Sequence, residues 1–290
     1  MPCLTQPPSK IAVENFDELL SAYDELPSKG GQIGISNVEI LFEDTFTVNK
    51  PVYFKGEGQP KPSTRFKLKS GVNKPMINIT TYGVGSIFED IEFYAEDNKV
   101  SEQYGVQIST GDISFHRCGF TRFGRAVYIT GNHMHRFLGC VIARNTYGIY
   151  TEGSILDVSH CWLFNNVQNV YCKNSYYDTI AHNVMYQNMT ISGGSFIYLL
   201  GGSHHIVDGN TMYLDEGTMF RAIQINASYT RTINNLLEGR TGTPIATGIY
   251  GGINDDYNIY IGNILVNCTT PWGGTYGANT IRANNIPQPT

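Results

Sequence analysis

No run of eighteen consecutive apolar residues occurs in this 290-residue chain, so no membrane-spanning helix is expected. The opening Met-Pro-Cys-Leu-Thr-Gln-Pro-Pro-Ser-Lys lacks the apolar centre of a secretory signal. Synthesis in the cytoplasm, export by another route, or trimming of a longer chain are the readings this leaves. Charge is sparse, at 16% of residues, and the net value of −5 argues against nucleic acid as a partner. The basic stretch Lys61, Arg65, Lys67, Lys69 and Lys74 reads as a solvated loop. No Cys-x-x-Cys pair or Cys/His ligand spacing is present, which disfavours zinc. Asp255-Asp256 alone is too little for a calcium site, so no metal or cofactor is assigned. No Pro/Ser linker or charge run divides the chain, and a single domain is expected.

What is abundant is glycine (31), tyrosine (19) and asparagine, and they recur with a period. One column runs Cys118, Cys140, Cys161, Asn183, Asn210, Asn235, Asn263, Asn284, in steps of 21 to 28 residues. An apolar residue or threonine stands three before each member, and an apolar one two after. Periods in this range signal a repeat architecture. Within residues 147–168, Tyr147–Glu152, Ile155–His160 and Trp162–Phe164 read as three short strands separated by turns. Such a coil cannot bury its apolar side alone, whereas a stack of coils about 4.8 Å apart can. The predicted fold is all-β: a right-handed, single-stranded parallel β-helix with three strands per coil. Its Cys/Asn column points inward, asparagine bonding its own turn and the next amide, cysteine filling the slot as a small hydrophobe. Cys172 falls on an inward position, and reduced core thiols are expected over disulfides.

The column and the Gly-Ile-Tyr strand openings at residues 148–150 and 248–250 resemble the asparagine ladder and short repeats of the pectate-lyase-like β-helix superfamily. The resemblance covers residues 76–286 well and 31–75 loosely. It specifies the fold and leaves the reaction open, since that fold hosts lyases, hydrolases, epimerases, transferases and non-catalytic viral fibres. The Asn-Thr-Asp and Gly-His-Gly motifs of polygalacturonases and the Tyr-Gly-Phe-Asp-Pro-His motif of alginate epimerases are absent.

Residues 15–26 predict an amphipathic helix, capped by Asn15 with Glu18 three residues on, its face made by Phe16, Leu19, Leu20, Tyr23 and Leu26. It would cover the open edge of the first coil. Residues 1–30 are therefore expected to form an arm and capping helix, and 31–290 the β-helix. This helix, the Gly-Gly-Gln-Ile-Gly-Ile that follows, residues 45–54 and the Gly56-Glu57-Gly58 turn look like the entry module of viral tailspikes and polysaccharide-degrading β-helices. That resemblance implies a virion or extracellular surface-acting protein and a homotrimer. Only Pro-Gln-Pro-Thr follows Ile286, so the sequence is expected to be a fragment or to be covered there by a partner chain.

Alternation turns Val127, Ile149, Val170, Ile197, Ile223 and Ile249 inward and Tyr128, Tyr150, Tyr171, Tyr198 and Tyr250 outward. A tyrosine column is either a platform for sugar rings or a cross-rung stack that braces the sheet or a subunit contact. Glycosidic acid–base chemistry needs two carboxyl groups roughly 5 to 9.5 Å apart. The turn Asp215-Glu216-Gly217 and the turn one coil later, Glu238-Gly239-Arg240, are expected to flank that face. The candidate catalytic residues are therefore Glu216 or Asp215 with Glu238, with Arg240 for an anionic sugar and Glu152 beside the tyrosines. Solubilising acids in exposed turns are the plain alternative. His133 and His135 flank a predicted turn and His204-His205 opens a strand. With no acidic residue at a telling spacing, they read as structural. Two functions remain: a tailspike-like depolymerase that binds and cleaves a bacterial surface polysaccharide, by hydrolysis or elimination, or a non-catalytic fibre using the same face for adhesion or subunit packing.

Overall fold

The computed structural model describes residues 13–57, 64–97, 100–109, 111–189, 194–217, 221–252 and 255–287; Cys3, Gly58 and Lys61 lie outside them. Three parallel sheets of eleven, eleven and ten strands wind as one solenoid. The first runs from Gly31–Gly34 to Ile281–Ala283, the second from Glu39–Phe42 to Ile286–Pro287, and the third from Phe46–Val48 to Cys268–Gly274. Each strand pairs in parallel with its equivalents in the coils before and after, so equal positions lie one above another. Three short strands per coil arise because most corners pass the chain through a left-handed residue, such as Arg117, His182 or Asn234 (φ 52°, 56° and 54°).

Phe54, Phe88, Phe115 and Phe137 stack through the first coils at centroid spacings of 5.2, 5.2 and 5.0 Å, and Val158 continues their register. At the corner between the first and second sheets the ladder forms as the repeat predicts. The Asn183 and Asn210 side chains donate to the carbonyls of Val158 (2.9 Å) and Ile180 (2.8 Å). Cys118, Cys140 and Cys161 point their thiols at the matching carbonyls of Phe88, Phe115 and Phe137, at 3.3 to 3.4 Å. Cysteine thus makes a weak version of the asparagine bond as well as filling space. All five described cysteines are buried and unbridged.

The last ladder member differs from expectation. Asn285, not Asn284, accepts from the Asn263 backbone at 3.0 Å. Asn284 takes the left-handed corner (φ 52°), as Asn234 does before Asn235. The apolar Ile281 and Ile286 suggest a frame one residue off, because Ile259 pairs with Ile281 and places Arg282 opposite Tyr260.

The helix spans Phe16–Glu25, with the Asn15 side chain accepting from the Glu18 backbone and the Glu18 carboxylate accepting from Asn15 Nδ2 at 2.7 Å. It lies on the first coil through Leu19, Ala22 and Tyr23, with the Phe16 ring 4.9 Å from Phe42 and Tyr23 5.0 Å from Phe46. Arg65 and Lys67 are in strand Thr64–Leu68 rather than a loop, and Glu39, Glu92 and Glu96 neutralise them. A paired cation row on a strand is not a free basic patch.

Candidate functional site

The third sheet carries the tyrosine column outward. Register sets Gln107, Tyr128, Tyr150, Tyr171, Tyr198, Gln224 and Tyr250 side by side. Their inward neighbours Val127, Ile149, Val170, Ile197, Ile223 and Ile249 are fully buried. Gly148 opens its strand where a Cβ would meet the Asn169 carbonyl oxygen at 2.5 Å, which explains that glycine in the motif. Tyr150 and Tyr171 stack at 4.7 Å, while Tyr171 meets Tyr198 edge-on at 5.0 Å. Burial, and then the Glu152 carboxylate, hold the Tyr150 hydroxyl above the ordinary phenol range. Glu152 pairs with Lys173 one coil on, at 3.4 Å.

A second column stands three residues before the tyrosines, Tyr104, Arg125, Tyr147, Gln168, Ser195, Arg221 and Thr247, of which Ser195 is buried. The Arg125 guanidinium lies 4.6 and 4.5 Å from the Tyr128 and Tyr150 ring centres, with Tyr104 at 5.3 Å and Tyr147 at 6.0 Å. Arg221 lies over Tyr250 at 3.4 Å. These arginines were not among the expected site residues. The 22-residue step from Arg125 to Tyr147, matching that from Tyr128 to Tyr150, is the signal that marks the column in the sequence.

The carboxylates fall differently from expectation. Asp215 has Arg240 as its ladder neighbour, and the two form an ion pair at 2.8 Å, with the Tyr186 hydroxyl donating to Asp215 at 3.0 Å. Glu238 belongs to strand Leu236–Gly239, on the outer side of the second sheet opposite Tyr213. The two turns are therefore out of frame: Asp215 matches Arg240, and Glu238 matches Tyr213. Glu216 is exposed, with no ion-pair partner among the described residues. Arg240 is already engaged by Asp215.

The histidines divide. His135 is fully buried in strand Met134–Leu138, not beside a turn, and burial lowers its pKa to about 4. His205 does have an acidic partner, fully buried Asp178 one coil earlier at 3.0 Å. Spacing in the sequence conceals it because the two are joined by a whole coil. His204 sits outside, in a row of left-handed residues Tyr177, His204, Tyr229 and Tyr257, stacked at 5.1, 5.0 and 5.0 Å. That exposed row also escapes the sequence reading, since irregular coil lengths hide its period. Asp255 is buried and accepts from Tyr260 at 2.9 Å, a structural role. A shallow concavity lies away from the tyrosines at the last coil, against Trp272, Arg282 and Pro287.

Residues 77–212 match the family model for the right handed beta helix region. The chain is a right-handed parallel β-helix. Solved structures of similar fold include the Dettilon tailspike protein gp208, at 13% identity over 93% of this chain and 64% of that one, with a TM-score of 0.55. The chain thus spans less than two thirds of that tailspike. The DFA-IIIase of Arthrobacter chlorophenolicus A6, in complex with DFA-III, aligns at 12% identity over 82% of this chain and 71% of that one, TM-score 0.52. The catalytic domain of a GH87 alpha-1,3-glucanase, in complex with nigerose, aligns at 10% identity over 98% of this chain and 68% of that one, TM-score 0.56. At these identities the likeness is one of fold. No curated protein matches. No helix among the described residues is long and apolar enough to cross a membrane.

Proposed function

We propose that the outer face of the third sheet is a platform for an extended bacterial surface polysaccharide, on a tailspike-like rod carried by a virion or acting outside the cell. The observation that carries this reading is the unbroken run Tyr128, Tyr150, Tyr171, Tyr198 on successive rungs. Rungs recur about every 4.8 Å, comparable to the length of one sugar ring, so a glycan lying along the rod meets one aromatic per residue. Tyrosine supplies contact area and a hydroxyl at small entropic cost. Glu152 and Lys173 border the same face with polar groups for sugar hydroxyls.

Cleavage is a second reading. It rests on Asp215 and Glu216, which open the turn leading into the third-sheet strand Arg221–Ser228, with Glu238 one coil on. Glu216 would act as the acid or base, and Asp215, held by Tyr186 and Arg240, would stabilise charge. Self-association into a homotrimer is supported by a register column on the second sheet, Val141, Trp162, Val184, Thr211, Leu236, Ile264 and Ile286, in which all but Thr211 are apolar and all but Leu236 are exposed. A straight apolar stripe fits a partner that is itself a straight rod, another copy of this chain.

Capsular and lipopolysaccharide glycans incubated with the protein, with binding, reducing ends and unsaturated uronate absorbance followed, test both readings. Binding that Tyr150→Ala and Tyr171→Ala weaken supports the platform. Binding without product removes the cleavage reading. Wild-type affinity in both tyrosine variants overturns the platform.

A further inference from the structure

On the proposed glycan platform, and resting on that reading, we infer that Arg125 is a receptor for a carboxylate, so that the polysaccharide this chain takes is acidic. Several cations elsewhere on the rod are held by carboxylates, whereas Arg122, Arg136, Arg144, Arg231 and Arg282 have no such pair among the described residues; what sets Arg125 apart is its place on the tyrosine column. Lys55 and Arg117 bind Glu89 and Asp90, Arg65 and Lys67 bind glutamates, and Lys173 and Arg240 bind Glu152 and Asp215. Arg125 has no carboxylate within ion-pair distance among the described residues. Its one hydrogen bond there is a long one, 3.4 Å, to the Tyr104 hydroxyl. Arg125 and Glu102 both act on the Tyr104 hydroxyl.

Tyr128 and Tyr150 hold the guanidinium at 4.6 and 4.5 Å. Stacking fixes the plane of the fork while leaving its N–H donors open apart from the long bond to Tyr104, and a planar fork matches a carboxylate with two parallel bonds. An arginine that served only to brace the sheet would be stabilised further by an anion one rung away, as Lys173 is by Glu152. The positions above and below Arg125 hold Tyr104 and Tyr147, neither of which is acidic. That leaves the fork open to an anion from outside. A uronic or other carboxylated sugar stacked on Tyr150 would bring its carboxylate to the fork. The same geometry reassigns the anion-binding role expected of Arg240, whose guanidinium Asp215 already occupies.

The test uses the whole chain and a panel of acidic capsular polysaccharides, each native and after reduction of its carboxyl groups to neutral alcohols. Neutral glycans complete the panel. Wild-type protein is expected to bind at least one native acidic polymer and to lose about tenfold or more on its reduced form, the scale of a charge-assisted pair. Arg125→Gln should lose the same factor on the native polymer and nothing on the reduced one. Arg125→Lys, which keeps the charge without the fork, should recover only part. Circular dichroism and melting of each variant separate a folding defect from a lost contact. Equal binding of native and reduced polymers, or an Arg125→Gln loss that is the same on both, overturns the carboxylate receptor while the tyrosine platform stands. Preference for neutral glycans overturns it likewise. Failure of the wild type to bind any member of the panel sinks the platform and this inference with it.

Discussion

Replacing Asn210 by alanine tests whether the solenoid is held by side chains passing bonds from coil to coil. The Asn210 carboxamide accepts from the Asn183 backbone and side chain, both at 3.0 Å, and donates to the Ile180 carbonyl at 2.8 Å and the Asn235 side chain at 3.0 Å. All of this is buried. Alanine removes the acceptor for the Asn183 N–H and the side-chain donor to the Ile180 carbonyl. Each buried group left unmet costs about 1–3 kcal/mol, so the variant should lose roughly 2–6 kcal/mol. Cys140→Ala is the control. Its thiol offers only weak bonds, to Phe115 at 3.4 Å and Leu138 at 3.7 Å, so that variant should lose about 1 kcal/mol, mainly from packing. Asn210→Cys should fall between, regaining a weak donor but little acceptor. Urea unfolding followed by far-ultraviolet circular dichroism gives midpoints and slopes for all three. Equal losses for Asn210→Ala and Cys140→Ala would refute the reasoning, because the ladder would then be filler.

His135 makes stability depend on acid. Its folded pKa, about 4, lies below the ordinary histidine value, so the unfolded chain binds the proton first. The stabilisation is complete above about pH 6.5 and is lost as pH falls toward 4, by roughly 3 kcal/mol. His135→Leu should flatten that limb of the urea midpoint against pH; an unchanged limb would show that His135 is not the group responsible. Burial pushes the Cys118 and Cys268 thiols up to about 12, so iodoacetamide near neutral pH should leave both unmodified by peptide mass until urea is added. Arg240→Ala should shift the urea midpoint by less than about 1 kcal/mol in free energy, since the Asp215 pair is exposed on the arginine side, at 57% of that side chain. Trp162, whose ring is exposed on the apolar stripe, should report assembly: Trp162→Glu should reduce the mass measured by light scattering to that of a single chain.

How much was readable from the sequence follows from what each feature depends on. The inward columns depend on packing that repeats every coil, so Cys118 through Asn263 and Ile149 through Ile249 are legible as periodic apolar and amide positions. The capping helix is legible for the same reason, its signals being local: Asn15, Glu18 and one apolar face. Asn284-Asn285 fails because two asparagines compete for adjacent places, and only backbone conformation decides which takes the left-handed corner. The frame of the turn carboxylates departs further from expectation. Strand Leu236–Gly239 carries Glu238 as a strand residue, whereas Asp215 lies just beyond its strand, yet the two segments look alike when compared by composition. The frame lies two residues from the expected one, since Leu214 pairs with Gly239, and this moves Glu238 from beside Asp215 to beside Tyr213. It also turns an expected acid pair into the ion pair Asp215–Arg240.

The same dependence explains why the proposed binding face includes Arg125 while the carboxylates carry a separate reading. A column is specified by every coil at once, so its register cannot drift without burying a tyrosine or exposing an isoleucine. Arg125 takes its position from the same register, opposite Tyr104 and Tyr147 on neighbouring coils. Residues in the turns of uneven length, among them Glu216, inherit no such register. A binding surface built on the sheet is therefore fixed by the fold, while chemistry placed in the turns is free to vary from one chain to another on the same scaffold. The proposed recognition of an acidic polymer thus belongs to the rigid part of this rod, and loss of binding in Arg125→Gln with the fold intact is the measurement that separates it from the turns.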